Sequence, residues 1–342
     1  MPAVAFNKWM ANLPSAYFFS HLIKIYIMNN TDYSPQTANK QSKLKTILWG
    51  NLLAFSAAFC WGLNEPANKV LIPDWISASG VAISRLFGAT IVIWIISLFI
   101  KREKIQRSDW KLFAWSAVMM MGFIYVFSLA FNTASAIDVS IILTFQPMLV
   151  VLINAIFKHM KVSKLEIIGL IIAFAGAVMV ILAGGNVDSG RFVGDLCAVV
   201  AAITYASYLV IIEGPSKRYG TVNLMKWIFL FTSILALPLI FTLPHDMKIL
   251  SHTEWVPVAL LLFIVLFPTV YCYLVTPPSI KMIGSGLFSL YQYLVPVITC
   301  IVSIIFKIDS FHWYQPVSLV IIVGGVVLAN YGKEKADSSK TE

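Results

Sequence analysis

Ten runs of apolar residues, each near the length of a bilayer crossing, restrict this chain more than any other feature. A helix needs roughly 20 apolar residues to cross the hydrocarbon core. In that solvent every backbone polar group must be paired internally, and helices satisfy this within one segment. The runs lie at 48–70, 78–100, 111–130, 135–157, 164–183, 192–213, 221–243, 255–275, 283–306 and 313–331. They predict an all-α polytopic membrane protein with short connections and no soluble domain between spans. Composition agrees: 59% of the 342 residues are hydrophobic and 12% charged, against roughly 45–50% and about 25% in soluble domains.

The net charge of +9 is no argument for nucleic acid, because the basic residues fall between the apolar runs, as the positive-inside rule distributes them. With the N-terminus cytoplasmic, 19 of the 25 Lys and Arg residues lie on the cytoplasmic side, and the other face receives only Lys69, Arg191, Lys248 and Lys307. Arg85 and Lys226 fall inside spans. Both termini are therefore expected in the cytoplasm, and the chain in the cell membrane. Cys60, Cys197, Cys272 and Cys300 all lie in apolar runs and read as small core residues, with no disulfide framework and no metal site. No cofactor is expected.

The two halves echo each other. Pro147 precedes Gly176 by 29 residues and Pro296 precedes Gly325 by 29. GNLLAFSAAFCWG (Gly50–Gly62) aligns with GDLCAVVAAITYA (Gly194–Ala206), pairing Trp61 with Tyr205. A duplicated five-helix unit follows, and an odd number of spans makes the second copy enter from the opposite side, an inverted repeat of the secondary-transporter type. The expected division is 1–47 as an N-terminal cytoplasmic segment, 48–183 and 192–331 as the two repeats, and 332–342 as a disordered polar tail. Leu13–Met28 is too short for a span and suits an interfacial helix, and a native start at Met28 would leave an ordinary polar tail. Small residues at 173–185 and 320–332 are suited to close helix packing, between repeats or between protomers of a homodimer.

Charged groups inside a bilayer cost roughly 2.5–3.5 kcal/mol each on insertion scales and mark cavities or partners. In FCWGLNEPANKVLIPDW (Phe59–Trp75) the first run meets Asn64, Glu65, Pro66, Asn68 and Lys69. Glu65 and Lys69 share one helix face, and Pro66 withholds its amide from the Gly62 carbonyl, leaving that oxygen for another donor. Glu65 is either a proton-coupling carboxylate beside a cavity, half of an ion pair with Lys69 or Arg85, or a group in headgroup water past the end of the helix. Asp138 is a second proton-coupling candidate, or a helix cap. Gln146 beside Pro147, and Tyr291 and Tyr293 before Pro296, place polar groups next to prolines in repeat-related helices, where a central binding site is expected. Trp61 and Tyr205 offer stacking surface or interfacial anchors, and Arg85 offers a counter-charge for a substrate carboxylate.

Trp61, Gly62, Asn64 and Lys69 in the first run, Arg85 in the second, Pro147 in the fourth and Gly194–Asp195 opening the sixth together resemble the EamA branch of the drug/metabolite transporter superfamily, over residues 48–331. An acidic residue frequent after the fourth helix of that family is replaced here by FKHMKVSK. The resemblance implies a secondary transporter exporting amino acids or related metabolites, with a small-molecule substrate and membrane lipid as partners, no nucleic acid, and protons or exchange as the driving force. The chain carries no GxxxxGK[ST] phosphate loop. A passive facilitator or exchanger of a nucleoside, nucleotide sugar or drug is the alternative. A membrane-embedded enzyme is a further one, disfavoured by five scattered histidines.

Overall fold

The computed structural model describes residues 40–157, 163–187, 190–243, 248–251 and 254–338. The interfacial segment Leu13–Met28 and the proposed start at Met28 lie outside the described residues. Among these residues eight helices have the length and apolarity to cross a membrane, and Leu294–Ile305 and Tyr314–Ala329 are shorter apolar helices. With those two, the ten expected spans are all present, and the protein is an all-helical, multi-pass membrane protein. The last helix runs on to Ser338, beyond the 332 at which a disordered tail was expected.

Packing follows the inverted repeat. The first span lies against the eighth and ninth, and the sixth lies against the third and fourth. The second pairs with the seventh, and the fifth with the tenth. Exchanging each span for the one five places along maps this set of contacts onto itself, which is the signature of two five-helix units related by a pseudo-twofold axis. The repeats are therefore interleaved, each helix of one completing the other.

Three spans are interrupted. The fourth is two helices, Ala136–Leu143 and Gln146–Phe157, separated by a turn at Thr144–Phe145. The ninth breaks at Tyr293, just before Leu294–Ile305, ten residues past the start at 283 that the apolar pattern indicated. Pro147 and Pro296 fall in the first turn after each break, where a missing amide costs no helical hydrogen bond. The eighth span contains a π-helical turn at Val265–Tyr271 that includes Pro268. Thr269 Oγ1 donates 2.8 Å to the Ile264 carbonyl there, repairing part of the disturbed ladder.

The small-residue stripes join the two repeats within one chain. A Cβ on Gly169 would lie 2.4 Å from the Gly325 carbonyl oxygen, and one on Gly325 2.5 Å from the Ala173 amide nitrogen. The fifth and tenth spans thus touch backbone to backbone, leaving these faces engaged inside the protein. Gly324, one residue away, has nothing within 4 Å of such a Cβ. Gly325→Ala is therefore expected to cost roughly 1–3 kcal/mol by overpacking, while Gly324→Ala is neutral or slightly stabilising. The temperature at which half the detergent-solubilised protein loses its monodisperse peak will separate the two.

Candidate functional site

The first span stays helical from Lys40 to Leu71, straight through Pro66. The Gly62 carbonyl that Pro66 cannot serve is met from the ninth span, where Thr299 Oγ1 donates at 2.9 Å. Gly62 also permits that approach, since a Cβ there would fall 2.6 Å from Ile298 Cβ. A helix breaker in one repeat is thereby repaired by a hydroxyl from the other, and the repair holds Glu65 at their junction. Glu65 is 3% exposed, so it is not a group in headgroup water. The Arg85 guanidinium and the Thr299 hydroxyl are the side-chain groups that act on it, and its Oε2 has no hydrogen-bond partner.

Arg85, 2% exposed, reaches the site from the second span. Its Nε donates to Thr269 Oγ1 at 3.0 Å, beside the π-helical turn, and its guanidinium stands 5.5 Å over the Phe127 ring. Nη1 has no partner. Among the described residues no salt bridge joins Glu65 to Arg85, so each keeps unspent bonding capacity in a place where such groups are costly. A ladder of rings continues from them. Tyr205 lies 4.6 Å from Phe123 and 5.8 Å from Tyr208, which lies 6.4 Å from Tyr273. On the first span Asn68 Nδ2 bonds Asn64 twice, to its carbonyl at 2.7 Å and to its Oδ1 at 3.0 Å.

Of the residues proposed from sequence, the structure gathers Asn64, Glu65, Arg85 and Tyr205 around the junction of the repeats. Trp61 lies alongside, its indole Nε1 donating 3.2 Å to the Pro268 carbonyl of the π-helical turn. Tyr291 bonds Asn51 Oδ1 at 2.9 Å, nearer the face that carries the termini. Tyr293 buries a hydroxyl without a partner at the ninth-span break, and Gln146 is half-buried at the fourth-span break. No hydrogen bond among the described residues ties either to Glu65 or Arg85. Thr269, Thr299 and Tyr273 were missed, because a lone threonine or tyrosine in an apolar run has no pattern that betrays its partner in another span. Lys226 is elsewhere, bonded to Asn223 Oδ1 at 3.0 Å and set over the Trp94 and Trp227 rings.

Asp138 belongs to a second polar cluster at the face opposite the termini. It does not cap its helix; Ser135 does, its Oγ accepting from the Asp138 amide at 3.0 Å. The Asp138 carboxylate accepts from Tyr314 Oη at 3.0 Å and Gln315 Nε2 at 2.9 Å, with Arg191 Nη1 at 4.0 Å. Asp195 stands beside it, and Asp309 accepts from the Ala136 amide at 2.6 Å. Near this face a cavity of about 530 Å³ opens between the first and eighth spans and the end of the ninth, walled by Leu63, Val70, Leu260 and Phe263 with Lys69 and Lys307 on its border. Among the described residues no group of three or more His, Cys, Asp or Glu side chains is arranged to hold a metal ion.

Ten spans in two interleaved inverted repeats, with breaks and buried charges concentrated where the repeats meet, define a membrane transporter of the drug/metabolite superfamily. The chain belongs to the EamA-like transporter family, whose model matches residues 48–182 and again 192–331. Among curated proteins it is similar to two uncharacterized transporters of Bacillus subtilis (strain 168). YyaM is 23% identical over 75% of this chain and 85% of its own length, and YvbV is 25% identical over 84% and 93%. An uncharacterized transporter of Archaeoglobus fulgidus is 24% identical over 71% of this chain and 83% of its own. A solved crystal structure superposes with a TM-score of 0.57 at 17% identity, covering 82% of this chain and 96% of the other, a likeness of fold.

The Gly62–Thr299 bond is separable from packing. Thr299→Val keeps the side-chain shape and leaves the Gly62 carbonyl buried and unpaired, which costs about 1–3 kcal/mol. Ile298→Val next to it removes one methylene and costs roughly 0.5–1.5 kcal/mol. Thermal unfolding of the two variants in the same detergent is expected to place Thr299→Val lower, despite its smaller change in shape.

Proposed function

We propose that this protein is a secondary transporter that exports an amino acid or a related small carboxylate across the cell membrane by alternating access, coupled to the proton gradient through Glu65. The observation that carries this reading is the pair of buried, incompletely bonded ions, Glu65 and Arg85, at the junction of the repeats. A zwitterion complements them: its carboxylate would take Arg85 Nη1 and its ammonium would take Glu65 Oε2. The Tyr205, Tyr208, Tyr273 and Phe127 rings would receive an apolar or flat side chain. Gln146, Tyr291 and Tyr293 would line the route at the breaks in the fourth and ninth spans, with Trp61 and Asn64 on the first.

Coupling follows from burial. With the substrate gone, Glu65 has its own backbone amide, Arg85 and Thr299 to offset its charge, and a proton is the cheapest replacement for the missing ammonium. Substrate and proton then compete for one carboxylate, which is the minimal device for exchange of one against the other. Asp138, already bonded by Tyr314 and Gln315, would act in the same cycle at the far face.

The test is counterflow in proteoliposomes preloaded with a mixed amino-acid pool and given labelled candidates outside. Saturable exchange that changes with pH is expected of the wild type. Glu65→Gln is expected to lose the pH response, and both Glu65→Gln and Arg85→Lys to raise the half-saturating concentration at least tenfold, the loss of about one charge-assisted bond. Glu65→Gln with unchanged flux and unchanged pH dependence would remove the coupling role. Exchange that no proton gradient can drive uphill would make the protein a facilitator.

A further inference from the structure

The cluster at the face opposite the termini contains a buried carboxyl group that its neighbours leave without a hydrogen bond. Asp138 has Tyr314, Gln315 and Arg191. Asp309 has the Ala136 amide, with Lys69 and Arg191 as the cations acting on it. Asp195, on the sixth span, is fully buried, and neither of its oxygens has a hydrogen-bond partner. Of the three carboxyl groups only Asp195 has no hydrogen-bond donor on either oxygen, and its charged neighbours are Asp138 and Arg191.

The pseudo-symmetry gives that position a counterpart. Aligning Gly50 with Gly194 sets Asn51 against Asp195. Both glycines pack hard against the other repeat: a Cβ on Gly50 would fall 2.5 Å from Ile283 Cγ2, and one on Gly194 2.4 Å from the Ala134 amide nitrogen. Beside the first contact sits a neutral amide, bonded by Tyr291 at 2.9 Å. Beside the second sits a carboxylic acid next to Asp138. A protonated Asp195 would match in charge the amide that the other repeat carries at this position.

We propose that Asp195 is a proton-binding site, and that the proton it holds closes the gate between the two repeats at the face opposite the termini. Loss of the proton leaves two adjacent carboxylates, Asp138 and Asp195, and their repulsion separates the sixth span from the turn between the third and fourth. The titratable and charged groups of the cluster are Asp138 on the fourth span and Arg191 on the sixth, which act on Asp195 directly, with Tyr314 on the tenth, Asp309 in the connection between the ninth and tenth, and Lys69 on the first acting on Asp309. His312, stacked 5.4 Å from Tyr314, and Lys307 at the neighbouring cavity complete the set. Burial holds the Asp309 carboxyl above its ordinary range, against the opposing pull of the Ala136 amide, Lys69 and Arg191. Asp309 is therefore the rival holder of the proton and must be tested beside Asp195.

The gate can be read without transport. Nitroxide labels at Thr133→Cys and Phe192→Cys, both exposed, straddle the Gly194–Ala134 contact in a background with the four native cysteines replaced. Their dipolar broadening is expected to fall as pH rises, and Asp195→Asn, the amide of its counterpart Asn51, is expected to lose that response and stay closed. Glu65→Gln, Asp309→Asn and His312→Gln are expected to keep it. Infrared spectra of protein with its native cysteines give a second readout: a protonated-carboxyl stretch that Asp195→Asn removes and Glu65→Gln leaves. A pH response that survives in Asp195→Asn, or one abolished instead by Asp309→Asn or His312→Gln, would overturn the assignment. So would an infrared stretch untouched by Asp195→Asn. A gate that responds in protein showing no counterflow would sink the exporter reading and leave this one standing.

Discussion

Hydrocarbon offers no hydrogen bonds, so each backbone oxygen released inside the membrane must be met by a neighbouring helix. That constraint organises the centre of this protein. Pro66 releases the Gly62 carbonyl, and Thr299 answers it from the other repeat. Pro268 lies in a π-helical turn whose loose backbone receives the Trp61 indole at its own carbonyl. Thr269 in that turn closes one gap in the ladder and accepts from Arg85. The bonds from Thr299 and Trp61 cross between helices, and Thr269, bonded within its own span, is the acceptor that holds Arg85, so the bonds that mend the backbone also aim the charged side chains.

The same physics operates at both ends. At the face bearing the termini, Arg218 Nη2 bonds Asp109 Oδ1 at 2.8 Å and Tyr219 Oη bonds Asp109 Oδ2 at 2.7 Å. The Gly220 amide donates to Glu103 at 2.9 Å. These bonds tie the connection after the second span to the one after the sixth, and so join the repeats. At the opposite face Asp138, Arg191, Tyr314 and Gln315 join them again. Two interrepeat networks thus bracket a packed centre that carries Glu65 and Arg85, the arrangement that the proposed alternating access would use by parting one end while the other holds.

Much of this was legible in the sequence. Run length gave the spans, and the echoes Pro147 with Pro296 and Gly50–Gly62 with Gly194–Ala206 gave the duplication, because both are one-dimensional patterns. The residue types Glu65 and Arg85 stood out for the cost of charge in lipid. What stayed hidden was partnership across the fold. Thr299 is one hydroxyl among apolar neighbours until Gly62 is seen beneath it. Asp195 could be read as an ordinary acid near a helix end until its burial against Ala134 and Asp138 is known. The break at Tyr293 was displaced from the apolar boundary because one helix, Cys272–Gln292, runs through TPPSIKM, where composition alone suggests a connection.

The duplication supplies scaffold, and the chemistry is carried once. By the same alignment that pairs Trp61 with Tyr205, Asn64 corresponds to Tyr208, Glu65 to Leu209 and Asn68 to Ile212. The first repeat therefore holds the ions, and the second supplies rings and hydroxyls. A second repeat that kept the carboxylate without the arginine would have placed two carboxylates across the axis with only Arg85 between them, too much negative charge for one guanidinium to offset in a low-dielectric site. The asymmetry gives the junction two unlike sides, one bearing charge and the other aromatic surface. A carrier with this centre would recognise its substrate by polarity along one axis, while the near-symmetric helices around it remain free to exchange roles.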